Sequence, residues 1–174
     1  PNEPFTRLRY VGRGLEDLTD NSFWFDSKTR TLYVRIAGDP AWYLIETGVR
    51  GMVFSVKGAH DVTVSGFEFR HNRMPTAQWS MTSLSSCSRV TLADCAFALA
   101  DFCGLAVSHS TNCVVQRCDA SFNGNTGITL YHADDCIVED SRMNFNNYRH
   151  FYPFWHAGGM KSIPANRRCI VRRC

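Results

Sequence analysis

Lys161, Arg149, His156 and Tyr152 fall in one short stretch, and Tyr148, His150, Phe151, Phe154 and Trp155 stand among them. Aromatic faces pack against the C–H faces of sugar rings, while Arg and His hydrogen-bond hydroxyls or carboxylates. A lysine that is partly desolvated beside a second cation has a lowered pKa and can act as a base. A loop this long also needs an apolar anchor of its own, so some of these rings are expected to pack rather than to bind. A second, smaller group is His71, Arg73, Gln78 and Trp79. His109 and His132 share one register position, but two imidazoles without a third ligand make a weak metal site. Asp134, Asp135, Glu139 and Asp140 are the carboxylates that could serve a hydrolase or hold Ca2+. Asp134 and Asp135 fall where a turn calls for Asp on backbone grounds, and Glu139 shares an outward column with Gln116 and Arg172, which predicts a Glu139–Arg172 ion pair.

What positions these groups is a repeat. Gly104-Leu-Ala-Val-Ser-His-Ser-Thr-Asn-Cys-Val-Val returns as Gly127-Ile-Thr-Leu-Tyr-His-Ala-Asp-Asp-Cys-Ile-Val, 23 residues later. Three columns carry the register outward: Val56, Leu84, Val107, Leu130, Ile163; then Val64, Leu92, Val115, Val138, Val171; then Phe67, Cys95, Cys118, Ser141, Cys174. All three step by 28, 23, 23 and 33 residues. Each unit holds apolar pairs at i and i+2 between Ser, Asn, Asp and Gly, which is strand periodicity with turns, and no stretch keeps a 3.6 period. Such a unit buries its apolar face only by stacking on copies of itself. A leucine-rich repeat has an overlapping period but needs more fixed leucines per unit than are present.

The expected fold is therefore all-β, a right-handed parallel β-helix (solenoid) of about five coils over residues 51–174. The repeat resembles the right-handed β-helix proteins of the pectate-lyase-like superfamily. Residues 1–50 stand outside it. Asn21–Asp26 and Thr31–Ile36 read as two strands about a polar turn, an N-terminal β-hairpin cap, with one more strand within Trp42–Glu46. This lead-in resembles that of many bacterial β-helix proteins thought to act on polysaccharides.

Lys161 aligns with Phe54, Leu105 and Ile128, an inward column where only Thr82 is also polar. An unpaired lysine there would be very costly. A bulge after each insertion would let Met81 and Met160 fill the core and turn Lys161 outward. The insertions add five residues near Trp79 and ten near Tyr152 to the basic 23, and both occupy the same turn. Stacking then makes two walls on one edge, three coils apart, with a low floor around Asp101 and Asn123–Asn125.

Charge and cysteine narrow the partners. A net charge of +3 with arginines crowding the end reads as a solvated basic rim rather than a nucleic-acid surface. Of the eight cysteines, Cys113, Cys136 and Cys169 share one column and Cys95, Cys118 and Cys174 another, both otherwise filled by Val, Phe or Ser. They stack as small apolar core residues do, and free thiols are expected. No apolar run reaches the roughly 20 residues of a membrane span. The last repeat stops mid-turn at Cys174, which reads as a fragment of a longer protein.

The resemblance implies a carbohydrate-active protein with a polysaccharide or oligosaccharide substrate, secreted, periplasmic or on the cell surface. Within that class the Lys, Arg and His bias suits β-elimination on a uronic-acid polysaccharide, with Lys161 as base, Arg149 as carboxylate clamp and His156 or Tyr152 as acid. Tyr148, His150, Trp155, Trp79, Gln78, His71, Arg73 and His132 are the expected substrate contacts. A glycoside hydrolase with paired carboxylates and a non-catalytic binding or adhesion solenoid are the alternatives. No cofactor is required by the lyase reading, and Ca2+ remains open.

Overall fold

Alternating apolar residues bounded by turn formers leave the backbone one economical choice, short strands that pair from one repeat to the next. A computed structural model describes residues 5–12, 14–73, 80–152, 154 and 156–174. The chain divides into two compact units, Pro1–Ile45 and Glu46–Cys174.

In the first unit Ser22–Asp26 pairs antiparallel with Thr31–Arg35, and Arg9–Tyr10 adds a parallel edge. The hairpin turn is closed by Asp26, whose carboxylate accepts from the Lys28 N–H at 2.8 Å and the Thr29 hydroxyl at 2.7 Å. The strand expected within Trp42–Glu46 does not form. Asp39 caps a short 3-10 turn over Pro40–Trp42, accepting from the Ala41 N–H at 2.9 Å, and the chain beyond it has no strand partner to complete a ladder.

The second unit is a parallel β-helix of five coils. Its first sheet stacks Phe54–Lys57, Ser80–Ser85, Cys103–Ser108, Thr126–Tyr131 and Gly158–Ser162. Its second sheet stacks His60–Ser65, Ser88–Ala93, Val114–Gln116, Ile137–Glu139 and Ile170–Arg172. Glu68–Arg70 and Ala96–Ala98 begin a third ladder, which single bridges continue from Ala96 to Asp119 and Arg142. Leu84, Val107 and Leu130, then Leu92, Val115 and Val138, point into one continuous core with the ring of Phe97. No helix among the described residues is long and apolar enough to cross a membrane.

Left-handed residues turn the corners, and they too are in register. Asp61, Arg89, Asn112, Asp135 and Arg168 form one such column, each with φ between 51° and 57°. Asp94, Arg117, Asp140 and Arg173 form another on the far side of the second sheet. Asn and Asp tolerate this conformation through local hydrogen bonding, whereas Arg does not favour it. Each of these arginines instead clasps a carboxylate one coil below: Arg89 on Asp61, Arg117 on Asp94, Arg168 on Asp135 and Arg173 on Asp140, all with both guanidinium and carboxylate edges engaged.

Inside the corner that carries the insertions runs a column of buried asparagine. Asn123, fully buried, donates to the carbonyls of Phe97 (2.9 Å) and Ser121 (3.2 Å) and accepts from the Ala100 N–H at 3.0 Å. One coil on, the Asn146 carbonyl oxygen accepts from both the backbone and the side chain of Asn123, at 2.8 and 3.1 Å. One side chain thus satisfies the backbone groups that the tight turn would otherwise orphan.

All eight cysteines are free thiols, six of them buried in the stacked columns. Burial pushes the Cys118 thiol up to about 11, as expected of a small apolar packing residue rather than a reactive one.

Candidate functional site

The fifth coil sits one residue away from its apolar alignment. Ser162, not Ile163, pairs with Leu130; Met160 pairs with Ile128 and Lys161 with Thr129. As at Gly127, glycine again stands at this corner, where a Cβ on residue 159 would lie 2.9 Å from the Met143 oxygen. Gly159 takes that place, and Met160 follows it into the core. Lys161 thereby turns out of the inward column, as the bulge reading expects, and stands half-buried in the outer column of Thr129, Ala106 and Ser83. At Thr82 no such slip occurs. It stays in register with Leu105, and its buried hydroxyl is satisfied by the Gly104 carbonyl at 2.6 Å.

The long insertion folds down onto the coils beside it. Its backbone is stitched to the turn beneath by N–H donors of Asn147 to Asn123 (2.9 Å), Arg149 to Gly124 (3.1 Å) and Gly158 to Asn125 (3.1 Å). Asn147 clasps Phe151 at both backbone groups, and Phe151 packs edge-on against buried Phe102 at 5.3 Å. The Tyr148 hydroxyl reaches the Ala100 carbonyl at 3.2 Å. Arg149 donates to the Asp101 carboxylate at 2.7 Å and to its carbonyl at 3.2 Å, with its guanidinium 5.2 Å from the Phe151 ring centre. The floor expected around Asp101 and Asn123–Asn125 is therefore covered by the loop rather than left open. Tyr148, Arg149 and Phe151 are its anchors.

His156 ends the loop and meets Lys161. Its carbonyl accepts from the Thr126 hydroxyl, which fixes the backbone where the first sheet resumes. Its imidazole is held below the usual histidine range, first by burial and then by the charge of Lys161. Beneath the same loop, Cys103 lies 3.4 Å from the Thr129 hydroxyl, and burial pushes its thiol up to about 11. The result is an imidazole of lowered pKa, its ring 6.5 Å from that of Phe102 and within the field of Lys161, an arrangement able to take a proton from carbon next to a carboxylate.

The other expected site residues are distributed around this pair. Tyr152 is exposed at the loop tip, its ring 5.5 Å from that of Phe154, and His150 is exposed on the same loop. His71 and Arg73 lie three coils away, about 14 Å along the stack at the usual strand spacing. His71 contacts the Glu46 carboxylate at 3.0 Å, and Arg73 is exposed. His132 is at the opposite edge of the first sheet, stacked on His109. Trp79, Gln78 and Trp155 lie outside the described residues. Thr126, Thr129 and Cys103 were not singled out by sequence, nor was the asparagine column, although Asn72, Asn123 and Asn146 follow the same steps as the apolar columns.

The carboxylates have other work. Glu139 is held by Arg172 at 2.7 Å and Arg173 at 3.0 Å, so the expected pair forms. Hydrogen bonds from Arg168 and Arg173 hold Asp135 and Asp140 below the usual carboxylate range. Among the described residues, no three His, Cys, Asp or Glu side chains gather as a metal site would require.

Compared with known proteins, residues 50–174 match the family model for the right handed beta helix region. No curated protein and no solved structure matches the chain.

Proposed function

The chain belongs to the right-handed β-helix family, and from that premise we propose that it is a carbohydrate-active solenoid, a polysaccharide lyase whose centre is His156 with Lys161. The observation that carries the reading is the lowered, half-buried imidazole of His156 beside the Lys161 ammonium. In β-elimination on a uronic acid the base removes the C5 proton. The electron pair left behind forms the C4–C5 double bond as the bond to the C4 oxygen breaks, and the departing oxygen takes a proton. A neutral imidazole can accept the first proton, and a cation beside it stabilises the carboxylate as charge builds.

The roles are thus exchanged from those the sequence suggests. His156 is the base and Lys161 the charge stabiliser, while Tyr152, exposed on the loop, supplies the acid. Arg149, engaged by Asp101, holds the loop in place of clamping substrate. A hydrolase needs a carboxylic acid with a raised pKa, and the arginine-bound Asp135 and Asp140 are shifted the other way. A polysaccharide substrate puts the protein in a secreted, periplasmic or cell-surface setting.

The test is a screen of acidic and neutral polysaccharides for near-ultraviolet absorbance of the new double bond and for reducing ends. Unsaturated product that disappears in folded His156→Ala and Lys161→Ala supports the lyase. Reducing ends without unsaturation would return the search to the carboxylates. Retention of a glycan with no product would leave a binding or adhesion solenoid.

A further inference from the structure

Across the outer face of the first sheet from His156 and Lys161 lies a group of rings, of which only His132 is among the expected substrate contacts. His109 and His132 turn the corner after the first sheet on successive coils, with φ of 48° and 49°. The shared conformation launches both side chains in the same direction, and their rings stack 4.9 Å apart, 7° from parallel. Tyr131, the last residue of the coil-four strand, stands perpendicular to both, at 4.3 Å from His132 and 5.3 Å from His109. Two imidazoles thus brace one phenol ring that nonetheless stays 39% exposed. Its column neighbours on the preceding coils are Ser108 and Ser85, which leave the approach to the ring low.

A braced, exposed aromatic ring loses little conformational entropy when a flat apolar surface settles on it. Imidazole nitrogens at its border can exchange hydrogen bonds with hydroxyls in either direction. Lys161 pairs with Thr129, two residues before Tyr131, which puts the α-carbons of Lys161 and Tyr131 about 8 Å apart from strand rise and spacing. Neighbouring units of one glycan can span that separation.

We propose that Tyr131, braced by His109 and His132, is a sugar-stacking subsite for the glycan whose adjacent unit reaches His156 and Lys161. The inference rests on the carbohydrate reading above but not on its lyase chemistry. It assigns a ligand of at least two sugar units, lying across the coil-four strand.

Affinity electrophoresis of the whole chain through gels containing each polysaccharide of the screen tests it. Tyr131→Ala is expected to weaken retention by about tenfold, an aromatic packing contribution, and Tyr131→Phe to keep it. Phe145→Ala removes another exposed ring, at a different corner of the same coil, and is expected to leave retention unchanged. Circular dichroism confirms that the variants fold. Retention with no product, still lost in Tyr131→Ala, would overturn the lyase and uphold the subsite. Undiminished retention of Tyr131→Ala, equal loss in Phe145→Ala, or no retention of the unaltered protein on any glycan would overturn the subsite.

Discussion

The flanks of the second sheet and the loop edge of the first sheet spend their charges in opposite ways. On the flanks, each corner arginine finds a carboxylate one coil below at hydrogen-bond distance. At the loop edge, His156 stands near a second cation, Lys161, and burial first and that charge second make its imidazole give up its proton more readily. Matched charges hold corners whose backbone conformation the residue itself does not favour. The imidazole at the loop edge is instead shifted by burial and by the neighbouring charge, and shifted groups of this kind cluster at functional sites.

That contrast can be broken most decisively at the loop edge. His156→Ala is expected to lower kcat on a responsive polysaccharide by about 10²- to 10⁴-fold, the range of a lost general base, with no fall in the denaturant midpoint. A midpoint that falls with activity would make His156 a packing residue. The framework under both regions is next in size. Gly127→Ala forces a Cβ onto two backbone oxygens at 2.4 and 2.6 Å, and overpacking of this kind costs about 1–3 kcal/mol or more. Asn123→Ala strands the Ala100 N–H and the Phe97 carbonyl, for about 2–3 kcal/mol. Both are read from urea unfolding, and an unchanged midpoint for Asn123→Ala would mean that the asparagine column is not needed.

Protonation sharpens the comparison further. Because the folded protein holds His156 below its ordinary value, activity should fall on acidification only as pH drops through that lowered pKa. Folded stability from the same linkage is present above the ordinary histidine value and is lost as pH falls. Removing the charge in Lys161→Ala should shift the His156 titration upward, measured by NMR of its ring protons. An unmoved titration would separate the two residues. The smallest effect belongs to the flanks. Arg117→Gln should change stability little and less still in high salt, since exposed pairs are weak and screened. A large loss there would mean that the corner itself depends on the pair.

Sequence made the solenoid legible because an error of one residue in a strand turns every side chain to the wrong face, so the apolar columns at Val107, Leu130, Val115 and Val138 keep step. It misplaced Ile163, because an apolar residue scores by polarity alone, while a slip of one residue in the fifth coil sets Ser162 opposite Leu130. The insertions were visible as extra length, but their shape was not. Arg149 finds Asp101 from 48 residues away, and no local pattern announces such a partner. Lys161 and His156 were identified by type, and the roles proposed for them rest on burial, which spacing does not reveal.

The corner that takes the insertions accepts different lengths of chain while the sheets on either side keep their pairing. In the language of inheritance, this makes the solenoid a frame in which one side can be rewritten without editing the others. A loop that begins at the Asn147 clasp and returns at the Gly158–Gly159 corner behaves as a cassette, bounded by its own start and stop. A dozen residues can be exchanged there while the stacked columns that carry them stay as they are.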